Sequence, residues 1–549
     1  MKPTTNLFLL FSLLSLEVPS GSAQPSATAQ PSGQNMLDTL FCSSGPIEAT
    51  GYDSHVELRW RPVSGVDRYA VYRLQASGDP VLRGFTNRTY YLDFVKTTDT
   101  TYTYRVSALN RSGETIHTSP DASASVRRFT DDQLQEMVQR YTFRYFWEFA
   151  DPLTGLIFER SDDSRESCIT IGGSGFGVMG LIAGIENGFV TREEALTRLE
   201  QIVGSLERLP RFHGVWAHWY DTHTNTAYPF SEHDNGGDLV ETAFLIQGLL
   251  TAQGYFDRET EQEKTLRARI DTLWHGVEWS FYTQGEKALY WHWSEEHGFA
   301  MNHKIQGYDE ALIAYILAAA SPTYPIDREV YEQCWVNRKA GEFFCATDFY
   351  GTMLPLGKRA LMGGPLFWVH YSYLGLDPRG LRDLYANYWE QNCRFTRINR
   401  AYCIDNPYGW VGYGPDFWGL TACDALPTGY MAHSPGIGHD FGTVAPTAAL
   451  SSIPYTPQES MEVLRNLYRN LGPITFGIMG FYDAINLGMP DPYKSTRNYL
   501  AIDQGPILIM IENHRRATLW TAFMKNNDVR RGLSRLGFTL YQQPVEPIN

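Results

Sequence analysis

The order of hydrophobic and polar positions divides the chain into two parts. Between about Ser44 and residue 127, apolar and polar residues alternate, as in HVELRW at 55–60 and RYAVYRL at 68–74. Turn-rich pieces such as PVSGVD and QASGDP separate these runs. Alternation with a period of two over short runs predicts the strands of a small β domain.

After Arg128 the pattern changes and predicts helices. Thr130, followed by Asp-Asp-Gln, is typical of an N-cap that opens a helix. Apolar runs such as LIAYILAAA at 312–320 and GPILIMIENH at 505–514 predict buried helices that are too short to cross a bilayer. We predict about a dozen helices with hardly any strand, among them helices over 362–373 and 378–394.

Long glycine- and aromatic-rich loops alternate with these helices. Paired helices with functional loops at one end suggest, by analogy of fold, an α/α toroid whose active site lies at its mouth. The predicted fold class is therefore mainly α, with a small N-terminal β-sandwich domain.

Composition limits the classes of binding partner that this protein is expected to have. The chain has 549 residues and a formal net charge of −15, which disfavours nucleic acid and anionic membrane surfaces. Aromatic residues make up 14% of the chain, and their faces suit flat apolar ligand surfaces. The sequence leaves the oligomeric state open, and a monomer is the default expectation.

The first 23 residues have the layout of a signal peptide. Lys2 gives the positive start, Leu7 to Leu16 form a short apolar run, and small residues at 20–23 form a cleavage site. We therefore expect export to the periplasm or outside, with no membrane span. Residues 24–43 are rich in Pro, Ser, Ala and Gln and predict a disordered leader.

The cysteines do not form a metal-binding pattern. Two pairs, Cys334 with Cys345 and Cys393 with Cys403, are candidates for disulfides in an exported protein. No CxxC or other tight ligand spacing occurs, so we predict neither a metal nor an organic cofactor.

Three acidic residues stand in SEHDNGGDLVETAFLIQGLL at 231–250. Asp234, Asp238 and Glu241 are spaced i, i+4 and i+7, which on a helix places all three on one face. Like charges at that spacing repel, so the cluster costs stability unless something offsets it. An acidic first turn favoured by the helix dipole is the structural alternative. We predict that these carboxyls bind substrate hydroxyls or tune a catalytic acid, and one of them is an alternative base.

Two further acidic positions lie at predicted helix starts. Asp309 and Glu310 precede the wholly apolar run at 312–320, where apolar surroundings and a like charge raise a carboxyl pKa and suit a general acid. Asp503 precedes Gln-Gly-Pro and is equally consistent with an N-cap. Separate segments of this kind are what glycoside hydrolysis needs, because an acid and a base must flank the bond.

Loop aromatics are the candidates for shaping a cleft, although about half of such residues are ordinarily packing residues. The predicted substrate-binding set comprises Asp234, Asp238, Glu241 and Asp309, joined by Trp216, Trp219, Tyr220, Trp293, His303, Tyr413, Phe417 and Trp418.

Two family resemblances add to this interpretation. Residues 44–127 resemble a fibronectin type III domain, on Trp60, the RYAVYR strand and the stretch from Tyr102 to Gly113. Such modules mostly space or support a catalytic domain, so we assign it no chemistry.

Residues 128–549 resemble the bacterial glucoamylase-like domain, the group that contains the β-1,2-glucanases of glycoside hydrolase family 144. The resemblance is carried by YTFRYFWEFADPLTGLIFER, IGGSGFGVMGL, HDNGGDLVETAFLIQGLL, QGYDEALIAYIL, YGWVGYGPDFWGLTACD and YLAIDQGPILIMIENHR. It implies an (α/α)6 barrel that hydrolyses β-1,2-glucan with inversion. It also implies that Glu310 is the general acid and Asp503 the base.

The sequence therefore predicts an exported glycoside hydrolase acting on a glucan. Two alternatives remain, a polysaccharide lyase on the same toroid and a non-catalytic glycan-binding protein of an uptake system. A lyase needs a basic cleft for a uronate, which the carboxylate-rich motifs disfavour. A binding protein keeps the aromatics but does not need both Glu310 and Asp503.

Overall fold

The computed structural model describes residues 40–162, 167–339, 341–425 and 429–540. The predicted signal peptide and residues 24–39 of the predicted leader lie outside the described residues. No helix within the described ranges is long and apolar enough to cross a membrane.

The N-terminal part forms two antiparallel sheets around one core. One sheet has the order β1-β2-β5, and the other has the order β4-β3-β6-β7 with β8 also paired to β6. Trp60, Tyr69 and Tyr104 are buried between them. The strands are β1 Ile47–Gly51, β2 His55–Trp60, β3 Arg68–Leu74, β4 Pro80–Thr86, β5 Tyr90–Phe94, β6 Thr100–Leu109, β7 Thr115–Thr118 and β8 Ala122–Val126.

The rest of the described chain is mainly helical. Its first helix begins as the sequence predicts, because Thr130 and Gln133 form a reciprocal capping box. The helices are α1 Asp131–Trp147, α2 Ile171–Glu186, α3 Arg192–Leu206, α4 Leu239–Tyr255, α5 Glu261–His275, α6 Leu312–Ala320, α7 Arg328–Val330, α8 Tyr388–Asp405, α9 Pro446–Leu450, α10 Pro457–Arg465, α11 Gly472–Thr475, α12 Ala501–Arg516, α13 Thr518–Phe523 and α14 Asn527–Leu536.

Short strands tie the loops between these helices together. One sheet has the order β12-β11-β10-β9, and the other strands form antiparallel pairs. The strands are β9 Ile157–Phe158, β10 Cys168–Thr170, β11 Trp219–Asp221, β12 Ala227–Tyr228, β13 Gly237–Asp238, β14 His292–Trp293, β15 Phe344–Phe349, β16 Thr352–Leu356, β17 Leu381–Arg382, β18 Ala422–Ala425, β19 Gly429–Ala432, β20 Phe476–Gly477, β21 Gly480–Phe481 and β22 Thr539–Leu540. The expectation of hardly any strand in this part was therefore wrong.

Two predicted helices differ in the structure. Residues 362–373 form only single 3-10 turns, at Leu366–Val369 and Tyr371–Tyr373. Gly363 and Gly364 have positive φ and Pro365 follows them, so a continuous helix cannot start there. The helix predicted over 378–394 begins only at Tyr388, where Asn387 caps it.

The core is built from helices that are apolar nearly all round. α2 packs against α4 and α12, and α4 also packs against α6. The glycines of IGGSGFG allow this close packing, because a Cβ on Gly175 would lie 2.5 Å from the Phe244 carbonyl oxygen. The glycine-rich motif therefore serves helix packing.

The two parts meet through a buried polar interface. Arg144 Nη1 of α1 donates to Glu57 Oε2 of β2 at 2.8 Å, and His55 Nε2 lies 2.8 Å from Tyr141 Oη. Burial would raise the pKa of Glu57, but Arg144 and Arg59 lower it to about 2. These buried hydrogen bonds join β2 to α1.

The cysteines are all free thiols. Neither of the two candidate disulfides, Cys334 with Cys345 and Cys393 with Cys403, is formed.

Candidate active site

Carboxyl residues gather near the starts of three helices, as the pair Asp309–Glu310 before α6 and as two larger clusters. The His218 cluster comprises His218, Asp234, Asp238 and Glu241, at the start of α4; the Asp503 cluster comprises Arg160, Asp424, Asp483 and Asp503, at the start of α12.

Asp238 is the N-cap of α4 and the centre of the His218 cluster. Its Oδ1 accepts from the backbone N–H groups of Val240 and Glu241, each at 2.9 Å. Its Oδ2 accepts from Trp291 Nε1 at 2.9 Å and from His218 Nδ1 at 3.0 Å. Burial opposes its charge, but His218 lowers the pKa of Asp238. Asp238 is therefore a buried, fully hydrogen-bonded carboxylate.

His218 supplies the positive charge of this cluster. Burial alone would lower its pKa, but Glu241 and Asp238 raise the pKa of His218 to about 10. Glu241 Oε2 accepts from Gly172 N at 2.8 Å, and its Oε1 lies 3.9 Å from His218 Nε2. Burial raises the pKa of Glu241 to about 7. A Cβ on Gly172 would lie 2.4 Å from Glu241 Oε2, which explains glycine at this contact.

Asp234 joins the cluster from the loop before α4. The helix begins only at Leu239, so the predicted common helix face for Asp234, Asp238 and Glu241 is wrong, although the three carboxyls do meet. Burial and the charge of Asp238 raise the pKa of Asp234 to about 7. The His292 Nε2 atom lies 3.7 Å from Asp234 Oδ1.

One part of this cluster has the composition of a cation site. Ligand atoms of His218, Asp234 and Asp238 lie within 4.8 Å of one another. Both oxygens of Asp238 are already used by four hydrogen bonds, one of them from His218 itself. The donor set therefore fits a hydrogen-bonded charge network better than metal ligands.

Asp309 and Glu310 lie just before α6, as the sequence predicts. Both are partly exposed, so their side chains reach the space above the helix. Asp309 Oδ1 accepts from Ala311 N at 2.8 Å, and the Glu310 carbonyl accepts from Ser372 Oγ. Burial raises the pKa of Glu310 to about 7, an effect that Asp238 reinforces and Lys358 opposes. Glu310 can therefore hold a proton near neutral pH.

Asp503 lies in the first turn of α12, three residues after the Leu500 N-cap, and so does not cap the helix itself. It is 1% exposed, and neither of its carboxyl oxygens has a donor among the described residues. Asp483 lies within hydrogen-bond reach of it, and burial together with Asp483 raises the pKa of Asp503. Two carboxyls this close share a proton, because both cannot be ionised together.

Asp424 and Arg160 support this pair. Asp483 Oδ2 accepts from Asp424 N at 2.6 Å. Asp424 Oδ2 in turn accepts from Arg160 Nη1 at 3.0 Å and from Asn498 Nδ2 at 2.6 Å. Arg160 thus pairs with Asp424. No cationic side chain within the described ranges forms an ion pair with Asp483 or Asp503.

The predicted aromatic residues divide by burial. Trp216, Tyr220 and Trp418 are wholly buried. Trp216 Nε1 donates to Leu206 O at 3.2 Å, as a core residue does. Trp219, Phe417 and Tyr413 are also buried, at 2%, 1% and 9% exposure. These rings lie in the core and present little surface to a sugar.

Other rings lie closer to the carboxyl groups. Trp293 and Trp291 are partly exposed, and His303 is exposed beside Trp291 at 5.3 Å between ring centroids. Phe230, which the sequence did not single out, is 42% exposed and lies 4.7 Å from the His218 ring. Phe230 thus offers a free aromatic face next to the His218 cluster.

Several functional groups had no sequence signal of their own. His218 stands among loop aromatics in GVWAHWYD, and Asp424 and Asp483 lie outside any helix start. The YDA triplet at 482–484 marks Asp483 as the only acid in an apolar segment, which is the one weak signal available.

Comparison with known proteins identifies the family of this chain. Residues 302–527 match the family model described as "Putative glucoamylase". A curated protein of Parabacteroides distasonis, named an exo β-1,2-glucooligosaccharide sophorohydrolase (non-reducing end), is 42% identical over 527 residues, covering 91% of this chain and 72% of the relative. The chain belongs to the bacterial glucoamylase-like family of glycoside hydrolases.

Solved structures of this family agree in fold. A β-1,2-glucanase from Parabacteroides distasonis superposes with a TM-score of 0.83 at 40% identity, over 89% of this chain and 72% of that one. An endo-β-1,2-glucanase from Chitinophaga pinensis, solved with sophorotriose and glucose, gives a TM-score of 0.71 at 48% identity. It covers 75% of this chain and 99% of its own.

Proposed function

We propose that this enzyme hydrolyses β-1,2-glucan with inversion, using Glu310 as general acid and Asp503 as general base. One observation carries the residue assignment: Glu310, just before α6, and Asp503, in the first turn of α12, come from distant segments, and burial raises the pKa of both carboxyls. Similarity to β-1,2-glucanases supports the substrate.

We also propose that the helical part is an (α/α)6 toroid spanning residues 128–549. Six inner segments support this, since α2 packs against α4 and α12, α4 against α6, and α9 against α12. The 3-10 turns at 366–373 complete the set, because they contact α6 and His370 Nε2 lies 2.9 Å from Ser452 Oγ, just after α9. The carboxyl clusters then lie at one mouth of the ring.

The chemistry follows from the protonation states. Glu310, with its pKa raised to about 7 by burial, holds the proton that the leaving glycosidic oxygen requires. Asp503 acts as the base when the Asp483–Asp503 pair is singly ionised, because only an ionised carboxyl takes a proton from the attacking water, and burial together with Asp483 raises the pKa at which this form appears. The water attacks the anomeric carbon once, so the configuration inverts.

The His218 cluster suits the binding of sugar hydroxyls. Asp234 and Glu241 titrate near neutrality, so each either donates or accepts a hydrogen bond. Phe230, Trp291 and Trp293 supply ring faces beside them. We assign the β domain at 44–127 a supporting role without chemistry.

The enzyme is proposed to act outside the cytoplasm, as the predicted signal peptide indicates. Its partner is a glucan, and we propose action as a monomer without a cofactor.

The first test is incubation of purified protein with linear β-1,2-glucan, with mass spectrometry of the products. We expect saturated oligosaccharides, and the time course distinguishes sophorose alone from a range of lengths. Unsaturated products would instead show a lyase. Binding without products would show a glycan-binding protein.

The second test addresses the two carboxyls. Glu310→Gln and Asp503→Asn should each lower kcat by ~10²–10⁴-fold, because the amide neither donates nor accepts the transferred proton. Glu512→Gln is the matched control on α12, since Glu512 bonds to Arg516, Thr518 and Asn187 away from the mouth. It should lower the melting temperature and leave kcat within about twofold.

Proton NMR of the first-formed product reads the stereochemistry. An α-configured reducing end supports single displacement by water. A β-configured end would require a carboxylate nucleophile and would overturn the role given to Asp503.

A further inference from the structure

Tyr371 lies in a single 3-10 turn with Tyr373, between the 366–369 turn and the loop leading to α8. Tyr371 is 5% exposed, and its hydroxyl has no hydrogen-bond partner among the described residues. A buried phenol without a partner is costly unless a ligand or water completes it.

Packing fixes the position of this hydroxyl. The Tyr371 ring lies 5.4 Å from the Phe176 ring, 5.6 Å from Phe244 and 5.1 Å from Phe367, measured between centroids. Its carbonyl accepts from Gln247 Nε2 of α4 at 3.1 Å. Three rings therefore pack around the side chain, and one buried amide holds the Tyr371 backbone.

The contacts of this turn place Tyr371 near the proposed acid and base. The neighbouring Ser372 Oγ donates to the Glu310 carbonyl, and Phe176, whose ring packs on Tyr371, also packs against Gly505 of α12, two residues after Asp503. These contacts place the Tyr371 turn between the segment of the proposed acid and the helix that carries the proposed base. Burial and the charge of Asp503 raise the pKa of Tyr371, so the phenol keeps its proton.

We propose that Tyr371 is a third catalytic residue, whose hydroxyl donates a hydrogen bond to the attacking water and holds it against Asp503. The proposal rests on the proposed function of Glu310 and Asp503. The water oxygen accepts from Tyr371 with one lone pair and attacks the anomeric carbon with the other. Asp503 takes a proton from the water, Glu310 protonates the leaving oxygen as the glycosidic bond breaks, and Tyr371 keeps its own proton.

Tyr373 provides a matched control in the same turn. Its ring is also buried, but its hydroxyl faces Tyr308, Tyr388 and Tyr455 and none of the catalytic carboxyls. A change at Tyr373 therefore tests the loss of a buried hydroxyl without touching the reacting atoms.

The experiment compares Tyr371→Phe with Tyr373→Phe on β-1,2-glucan. Tyr371→Phe should lower kcat by roughly 10–100-fold and leave KM within about threefold, since the donor acts on the water and its loss costs transition-state stabilisation. Tyr373→Phe should keep kcat within about twofold. Equal kcat in both variants, or a rise in KM alone for Tyr371→Phe, would overturn the assignment.

Two further measurements separate the causes of failure. If Glu310→Gln or Asp503→Asn retains wild-type turnover, the proposed acid and base are wrong; if both are inactive and Tyr371→Phe is not impaired, only the role of Tyr371 fails. Should Tyr371→Phe not fold, trifluorotyrosine at 371 keeps the shape and ionises at lower pH. The alkaline limb of kcat should then move to lower pH, and an unmoved limb would contradict the proposal.

Discussion

At the residue scale, burial opposes the ionisation of most carboxyls in the candidate site. Asp234, Glu241 and Glu310 all have their pKa raised to about 7, chiefly by burial. Asp238, in contrast, is stabilised as an anion, because four donors surround it. Burial thus brings three of these acids to titrate near neutrality, whereas hydrogen bonds keep Asp238 ionised.

This arrangement predicts a pH-dependent cost at Asp483. Burial and Asp424 raise the pKa of Asp483 from 3.8 to about 7. The folded state therefore favours the protonated carboxyl, and this contribution to the free energy of unfolding is fully present below about pH 4 and is lost as the pH rises through 7. Asp483→Asn removes this ionisation. Relative to the wild type, the variant should gain on the order of 1–4 kcal/mol in unfolding free energy between pH 5 and pH 8.

Urea unfolding of both proteins at pH 5 and pH 8 measures this difference. An equal difference at both pH values would show that Asp483 does not titrate in this range.

At the element scale, close helix packing positions the carboxyls. α2 and α4 cross where Gly175 and Gly248 face each other, and a Cβ on Gly248 would lie 2.2 Å from the Gly175 carbonyl oxygen. This contact allows Glu241 of α4 to accept from Gly172 of α2 at 2.8 Å. The buried glycines are therefore part of how the His218 cluster is assembled.

Gly175→Ala should destabilise the protein by ~1–3 kcal/mol or more, because the new methyl group meets the backbone of α4. Gly180→Ala on the same helix is the control, since its Cβ would lie 3.1 Å from Leu508 Cδ2, the end of a flexible side chain. Both changes gain the same ~1 kcal/mol of helix propensity. Thermal melts of the two variants give the comparison, and equal melting temperatures would contradict the packing argument.

At the scale of the whole molecule, the β domain and the helical domain share a buried interface. Asp53 is wholly buried and pairs with Arg469, with both N···O distances at 3.0 Å. A chain that begins at Arg128 would lack the β-domain residues that contact Tyr141, Tyr468 and Arg144. The Chitinophaga pinensis relative, which matches 75% of this chain over 99% of its own length, shows that shorter chains of this family fold.

We therefore expect the chain from Arg128 to keep its kcat on soluble β-1,2-glucan and to melt at a lower temperature than the full protein. Glu57→Gln in the full chain is the companion variant, because it leaves Arg144 buried without its carboxylate and should cost ~3–5 kcal/mol. Activity assays and melts of the two forms check this. A well-folded but inactive short chain would show that the β domain takes part in catalysis.

The sequence alone predicted a mainly helical fold with an N-terminal β region, and it supplied the candidate acids. The switch from period two to a helical period separated the β part from the helical part, and acids at or near the start of apolar helices pointed to Glu310 and Asp503 as candidates. Thr130 correctly predicted the start of its helix, because N-capping depends on residues close in sequence. The sequence analysis predicted a helix across Gly363 and Gly364, because the apolar periodicity around this glycine pair is helical, whereas both glycines have positive φ.

Only the tertiary structure decided which of these groups meet and in what protonation state. Asp234 reaches Asp238 through a loop rather than along a helix, and His218, Asp483 and Tyr371 enter the site from segments distant in sequence. Burial separated the core rings Trp216 and Trp418 from the exposed Phe230. Local sequence encodes propensity and capping, whereas desolvation and proton sharing depend on neighbours that only the folded chain brings together.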